Sequence, residues 1–230
     1  MDFAEKVLQL KQDFDDVYEA GKAQGGGGDV IDFPKCAKYF QFATTEGLPE
    51  TITVNLDYQD TLSDFWSGVI NTNVKHIILN VAKKLRNNGA NRVFNQTSVN
   101  VMHRALEHIT FNADLSGVTS CTQVFYMLDN LKIVDGTPLD FSSATSISAL
   151  WLYCMALEEI RVAKETIKVN MTVQADALSV DSLLSFLYGL YDYSTDTSGT
   201  SHTLTMGTAN LNKLTDTQKA IATEKGWNLA

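Results

Sequence analysis

The histidines and acidic residues are the first places in this sequence where metal or catalytic chemistry would be sought. His103 and His108 flank Glu107. A separation of five residues does not bring two imidazoles onto one helical face, as the four-residue separation of H-E-x-x-H does. The pattern favours histidines on a surface or a strand edge, and the sequence predicts no metal site.

Other arrangements that carry catalysis are also missing from the sequence. There is no G-x-S-x-G nucleophile turn and no G-x-x-x-x-G-K-[ST] phosphate loop, and the four glycines at 25–28 lack the flanking strand and lysine of such a loop. Glu158 and Glu159 are adjacent, so their carboxylates face different directions. We therefore predict no catalytic residues, no cofactor and no enzyme activity. A glycosidase or peptidase site built from distant residues stays open as an alternative.

The segment 191–201 has the residue types of a binding loop. Tyr191 and Tyr193 alternate with Asp192, and Asp196 follows among serines, threonines and a glycine. Aromatic anchors beside adaptable polar groups are typical of immune and engineered binding surfaces. Two interpretations remain: a host-contact loop for a glycan or protein, or a solvated connector. Because the two aspartates lack calcium-loop spacing, we predict no metal there.

Composition limits the classes of partner. The chain has 230 residues, 44% of them hydrophobic, which is enough for a substantial core. Its net charge of −9 repels nucleic acid and anionic membranes, and its densest basic cluster is only KKLR at 83–86. No apolar run reaches the roughly 20 residues of a membrane span, and the start does not resemble a signal peptide. We expect no nucleic-acid binding, no membrane insertion, and a protein made in the cytoplasm.

The cysteines do not indicate a disulfide framework. The chain has three, Cys36, Cys121 and Cys154, an odd number at wide spacing without a C-x-x-C pair. We interpret them as small core residues.

The elements that would position any functional surface begin with an amphipathic helix. Apolar residues there are spaced alternately four and three apart, as in a coiled coil: Phe3, Val7, Leu10, Phe14 and Val17. Gly21 ends this helix and the glycines at 25–28 form a tether. The pattern predicts an oligomerising helix over 1–22 and a tether with a transitional segment over 23–50. Packing of the helix on its own body is the alternative.

The body at 51–230 contains an irregular repeat. Segments 99–111, 121–133 and 150–162 each place apolar residues at helical spacing before an L-x-x-I/L-x-h tail, and 70–79 is a weaker copy. The anchors Val74, Leu106, Leu128 and Leu157 are 32, 22 and 29 residues apart. Stacked helix-strand units bury faces that one unit leaves exposed. The predicted repeat core is Leu106, Ile109, Leu128, Leu131, Leu157 and Ile160.

The C-terminal part predicts a different set of elements that closes the stack. We expect a strand over 167–173, a helix over 180–190, a strand over 202–206 and a last helix opened by the capping box of Thr215 and Gln218 and closed by Gly226. Trp227 and Leu229 are expected to seal the end of the stack. The predicted fold class is α/β, an irregular leucine-rich-repeat-like stack of helix-strand units preceded by a short coiled-coil helix.

These segments resemble the degenerate leucine-rich-repeat proteins of bacteriophages and prophages of Gram-positive gut bacteria. The resemblance rests on the repeat units, LSVDSL at 178–183, LNKLTD at 211–216 with KGW at 225–227, and FDDVYEAGK at 14–22. The chain departs from the regular pattern in its irregular period and in lacking a regular asparagine or cysteine in each repeat. A compact stack of few units is therefore expected rather than a smooth horseshoe.

The resemblance implies a virion protein of the tail or another exterior structure. Its partners would be itself, as a homotrimer, other virion proteins, and a host-surface glycan or protein. A bacterial leucine-rich-repeat adhesin or interaction module is the alternative function. Fold alone does not decide between these functions.

Overall fold

The computed structural model describes residues 30–32, 50–56, 61–63, 65, 74–95 and 105–230, with only the backbone at 30–32 and 95. The strands are β1 Val30–Asp32, β2 Thr51–Leu56, β3 His76–Val81, β4 Arg86–Asn87, β5 Phe94–Asn95, β6 His108–Asn112, β7 Gly117–Val118, β8 Ser120–Thr122, β9 Phe125–Tyr126, β10 Ile133–Leu139, β11 Ser146–Ser148, β12 Glu159–Val162, β13 Met171–Thr172, β14 His202–Thr205 and β15 Trp227–Leu229. The helices are α1 Val180–Gly189, α2 Gly207–Leu211 and α3 Asp216–Glu224. This mixture of strands with few helices, paired in parallel, confirms the α/β class.

A six-stranded sheet of order β1-β2-β3-β6-β10-β12 organises the molecule, and every neighbouring pair is parallel. The strands alternate buried and partly exposed residues, as in TITVNL of β2, where the β-branched and leucine side chains at even positions are buried. One buried row crosses five strands at Ile52, Ile77, Ile109, Val134 and Ile160. One face of this sheet therefore belongs to the core.

Aromatic rings fill the core behind the sheet. Phe94 stacks on Phe125 with centroids 5.8 Å apart and meets Phe111 edge-on at 6.1 Å. Further along the chain, Trp151 packs edge-on against Phe186 of α1 at 5.2 Å. All five side chains are buried, so the core extends without interruption from the sheet to the first helix.

Short parallel strands line the other side of this core. They form the pairs β4–β7, β5–β9 and β8–β11, and the separate three-stranded sheet β13-β14-β15. Left-handed backbone recurs among the turns that connect them, at Arg92 (φ 52°), Gln123 (φ 54°) and Ala149 (φ 48°). Arg92 and Gln123 occupy equivalent places, because each donates its N–H to the carbonyl of the last residue of a strand. Arg92 donates to Thr122 of β8, and Gln123 donates to Ser148 of β11.

The helical interpretation of 121–128 and 150–157 is wrong. The first segment holds β8, β9 and turns, and the second consists of turns. Met127 (φ 59°) and Tyr153 (φ 66°) adopt left-handed conformations that an α-helix does not contain. The apolar spacing of three and four residues arises here because strand and turn positions alternately face the core.

The alignment of the second repeat is also corrected. Strand pairing places Val134 beside Ile109, so the counterpart of Leu106 is Leu131 and not Leu128. Apolar residues at 128, 131 and 134 allowed two registers in the sequence, and the strand pairing of β10 with β6 selects one. The bonded polar pairs on neighbouring strands, Asn55–Asn80, Asn80–Asn112 and Glu107–Lys132, are 25, 32 and 25 residues apart. This spacing is more even than the 32, 22 and 29 residues predicted between the anchors.

The C-terminal predictions are largely confirmed. The helix predicted over 180–190 is α1, the predicted strand at 202–206 is β14, and α3 has a complete capping box between Thr215 and Gln218. The strand predicted over 167–173 is reduced to β13, with a single bridge from Ile167 to Leu190. Trp227 is buried, and it begins a strand, β15, that the sequence analysis did not predict. The coiled-coil residues Phe3 to Val17 and the glycine tether lie outside the described residues.

Candidate functional site

The solvent-facing side of the six-stranded sheet carries a cluster of polar side chains from three neighbouring strands. His76 and His108 are register partners on β3 and β6, and His108 is in turn paired with Ile133 on β10. Thr110 and Asp135 occupy the next outward-facing positions of β6 and β10. Because outward residues of adjacent parallel strands lie side by side, the sheet brings four residues together that are distant in sequence.

Contacts within the cluster are close. The imidazole rings of His76 and His108 stack with centroids 3.8 Å apart and planes 3° from parallel. Nε2 of His76 lies 2.9 Å from the hydroxyl of Thr110, and Nε2 of His108 lies 2.9 Å from Oδ2 of Asp135. Nε2 of His108 is close enough to Asp135 for an ion pair, but it is not aligned for a hydrogen bond.

Protonation within the cluster follows from these contacts. Burial, together with the neighbouring His108, lowers the pKa of His76 and outweighs the opposite effect of Asp135. For Asp135, burial acts to raise the pKa, but its contacts with Thr110 and His108 and the charges of both histidines lower it overall.

The arrangement limits what the cluster can bind. Two parallel stacked imidazoles direct their in-plane lone pairs along parallel lines, so they do not converge on one metal ion. The cluster's one hydroxyl, that of Thr110, lies 2.9 Å from Nε2 of His76. What the cluster offers a partner is an array of hydrogen-bonding groups held side by side on neighbouring strands.

A ladder of asparagines continues this face. Asn80 donates its amide N–H to Oδ1 of Asn55 at 2.7 Å, and Asn112 donates to Oδ1 of Asn80 at 2.7 Å. The three residues occupy one register row on β2, β3 and β6. The sequence analysis expected no regular asparagine, and the structure corrects this for three strands. In the sequence, each of these asparagines directly follows a three-residue segment with apolar ends: ITV, IIL or ITF. This pattern can be recognised only when the strand register is known.

A row of opposite charges precedes the strands. Lys75 lies 2.7 Å from Glu50, and Lys132 lies 3.0 Å from Glu107. The hydrogen bond and charge of Glu50 raise the pKa of Lys75, and those of Lys132 lower the pKa of Glu107. These side chains are largely exposed, so the ion pairs contribute little to stability. Their main effect is on the charge pattern of the surface.

The candidate host-contact loop is tied to the body more firmly than its composition suggested. Tyr193 stacks on His202 at 3.8 Å and donates its hydroxyl to the carbonyl of Lys168 at 3.0 Å. Asp192 and Asp196 accept the backbone N–H groups of residues two positions later, at 2.8 and 2.9 Å. Hydrogen bonds from those serines lower the pKa of both carboxyl groups. Tyr191, 40% exposed, is the aromatic residue of the loop that faces solvent.

The predicted repeat core and two of the cysteines lie in the interior. Leu106, Ile109, Leu128, Leu131, Leu157 and Ile160 are all buried. Cys121 and Cys154 are buried free thiols, and burial raises the pKa of each to about 12. Thiols with such pKa values stay protonated at neutral pH. Cys36 and His103 lie outside the described residues.

Within the described ranges, no group of three or more His, Cys, Asp or Glu residues has the arrangement of a metal site. The same part of the chain has no helix long and apolar enough to cross a bilayer.

Comparison with known proteins finds no match: no protein-family model fits the chain, and no curated protein or solved structure is significantly similar to it.

Proposed function

We propose that the chain is a non-catalytic structural protein of a phage virion, in the tail or another exterior appendage. Its residues 1–22 assemble a homotrimer through Phe3, Val7, Leu10, Phe14 and Val17. Its body is a leucine-rich-repeat-like stack that presents the polar sheet face to other virion proteins or to the host surface. The observation that carries the proposal is the flat polar face of His76, His108, Thr110 and Asp135 on a one-directional parallel sheet.

Parallel pairing in chain order supports the stacked body. Five consecutive members of the sheet share one buried row, and left-handed turns recur at equivalent places in the connections. Each unit contacts its neighbours and buries a face that it could not bury alone, as in repeat proteins.

The chemistry of the described residues supports a contact role. Both buried thiols are too basic to act as nucleophiles at neutral pH. A rigid face with groups fixed by neighbouring strands is a good binding surface, because little side-chain freedom is lost on association.

An adhesin or interaction module of a bacterium is the second candidate. The same polar face favours it, since a contact surface serves either setting. The two differ in where the protein is found. Mass spectrometry of purified phage particles should detect its peptides at a fixed ratio to a tail protein if the virion proposal is correct. Peptides found on bacterial cells and absent from particles would favour the adhesin.

Self-assembly is tested on the full chain by placing a charge within the apolar stripe. Leu10→Asp should reduce the mass measured by light scattering from a trimer to the 25.4 kDa monomer, because a carboxylate in the centre of a helix bundle is strongly disfavoured. Gln12→Asp, which adds the same charge outside the stripe, is the matched control and should remain trimeric. A wild-type chain that is already monomeric would refute the assembly role and favour packing of the helix on its own body.

A further inference from the structure

An asparagine–glycine pair lies in a turn that follows β4. Asn88 is exposed, and Gly89 directly after it completes the only such pair in the sequence. The N–H of Gly89 donates to the carbonyl of Arg86 at 2.8 Å and closes the turn, and Asn87 inside the turn has φ 51°. Glycine has no Cβ to hinder its nitrogen, so its main-chain amide can approach the side chain of the residue before it.

The reaction that this pair permits is deamidation. The main-chain nitrogen of Gly89 attacks Cγ of Asn88, and the side-chain nitrogen leaves as ammonia with the proton of the attacking amide. Water then opens the cyclic succinimide at either carbonyl carbon. One opening leaves aspartate at position 88. The other leaves isoaspartate, in which the main chain runs through Cβ and Cγ and the former main-chain carbonyl becomes a free carboxylate.

The turn also holds a neighbouring segment in place. The hydroxyl of Ser63 donates to the carbonyl of Asn88 at 2.9 Å, and the N–H of Leu62 donates to the carbonyl of Gly89 at 2.6 Å. Leu62 is buried, and so is Phe65, whose N–H donates to the carbonyl of Leu62. Isoaspartate would displace both carbonyls of the turn, so a change at the surface would reach residues of the core.

A second pair of this kind, with aspartate in place of asparagine, is protected by its position. Asp135 and Gly136 lie within β10, opposite Thr110 and Phe111 of β6. Hydrogen bonds between the two strands hold the main chain there. At the turn, by contrast, one hydrogen bond of the attacking nitrogen has to open. Reaction should therefore be concentrated at Asn88.

We propose that Asn88 is a site of spontaneous modification, at which deamidation forms isoaspartate and loosens the contact between the turn and residues 61–63. The hydrogen bond from Gly89 to Arg86 limits the rate, because the attacking nitrogen must leave it. The product adds a negative charge beside the basic cluster at 83–86. This inference goes beyond the proposed function, since the reaction needs only water and this turn.

Peptide mapping by mass spectrometry tests the site on the full chain after incubation at mildly alkaline pH. Asn88 should convert before any other asparagine, and a protein-isoaspartate methyltransferase should label the product. Conversion should be about 10-fold slower in buffer than in guanidinium chloride, since the folded turn must first open. Asn212, which is exposed but followed by lysine, is the matched control in the same chain and should stay intact.

Thermal unfolding tests the structural consequence. The converted protein should unfold at a temperature about 2–4 °C lower than fresh protein, the shift expected when a domain of this size loses about one hydrogen bond. Asn88→Gln, whose longer side chain forms the ring far less readily, should keep its unfolding temperature through the same incubation. Freshly prepared Asn88→Asp adds the charge without lengthening the main chain and should match the wild type.

Three results would overturn the proposal: an Asn88 that stays intact in guanidinium chloride, equal conversion rates in buffer and denaturant, or an unchanged unfolding temperature after conversion. None of these readouts depends on oligomerisation or on presence in a virion. Failure here is therefore separable from failure of the proposed function.

Discussion

The hydroxyl of Ser182 on α1 accepts the backbone N–H of Ile160 on β12 at 3.0 Å and donates to the carbonyl of Glu158 at 3.0 Å. One helical turn later, Ser185 accepts the N–H of Val162 at 2.7 Å and donates to its carbonyl at 3.3 Å. Because β12 is the last strand of the six-stranded sheet, its outer edge would otherwise present unpaired groups. The two serines of α1 therefore form the hydrogen bonds that a further strand would otherwise make with the edge of β12.

Replacing Ser182 should destabilise the protein. Ser182→Ala leaves the N–H of Ile160 and the carbonyl of Glu158 without this partner in a site where the serine is only 4% exposed. We expect a loss of about 1–3 kcal/mol in the free energy of unfolding, measured with urea. The exposed Ser194→Ala is the control and should change it by less than about 0.5 kcal/mol. Equal effects of the two substitutions would show that the edge contact is not important for stability.

Gly136 on β10 should not tolerate a side chain. It has φ +96°, and a Cβ there would lie 2.6 Å from Oδ1 of Asn112 and 2.8 Å from the carbonyl oxygen of Phe111. Gly136→Ala should cost the roughly 1–2 kcal/mol of left-handed backbone strain plus the energy of displacing the asparagine ladder. Urea unfolding measures the sum.

Gly199 separates those two contributions. It also has positive φ, +74°, but a Cβ there would meet nothing within 4 Å. Gly199→Ala should therefore show the backbone cost alone, about 1–2 kcal/mol at most. If Gly136→Ala is no more destabilising than Gly199→Ala, the close approach to Asn112 has no energetic consequence.

Stability should decline as the pH falls through 6.5 because of His76. Its pKa is lowered from 6.5 in the folded state, chiefly by burial, so below this pH the unfolded chain binds more protons than the folded one. Protonation then favours unfolding. The pKa of Asp135 is below 3.8, so that carboxylate does not titrate in the same range.

Urea unfolding of wild type and His76→Gln at about pH 7.5 and about pH 5.5 measures this effect. The wild type should lose more stability between the two pH values than the variant does. Equal losses would mean that His76 has the same proton affinity in both states.

The thiols of Cys121 and Cys154 should be unreactive in the folded protein. With a pKa of about 12 for each, only roughly one thiol in 10,000 is ionised at pH 8, and burial blocks access as well. Iodoacetamide labelling, located by mass spectrometry, should modify both residues in urea and neither in buffer. Rapid labelling of Cys154 without urea would indicate local opening next to Phe125, whose carbonyl accepts its S–H.

Local signals predicted the C-terminal elements well. The capping box of α3, the extent of α1 and the strand β14 each depend on residues close in sequence, so a single segment contains the information. The helices expected at 121–128 and 150–157 failed for the opposite reason. Their apolar spacing suits a helix, but Met127 and Tyr153 adopt left-handed conformations, and the N–H of Met127 is bonded to the carbonyl of Leu152, 25 residues away.

The polar cluster also depends on contacts between residues that are distant in the sequence. The sequence analysis placed His108 on a surface or strand edge and did not consider His76, which is 32 residues earlier, the same separation as Asn80 and Asn112. Nothing in either local segment indicates that two rings stack at 3.8 Å. Strand pairing between β3 and β6 creates that contact, and a shift of β6 by one residue would turn His108 into the core.

The sequence by itself determined the α/β class, the alternation that separates buried from exposed strand faces, and the caps of the terminal helices. These depend on residue type and on spacing within a few positions. Tertiary structure decided the register of Leu131 beside Leu106, the asparagine ladder, the histidine stack and the cover of β12 by Ser182. Each joins residues 22 to 32 positions apart, and only strand pairing and tertiary packing bring such residues into contact.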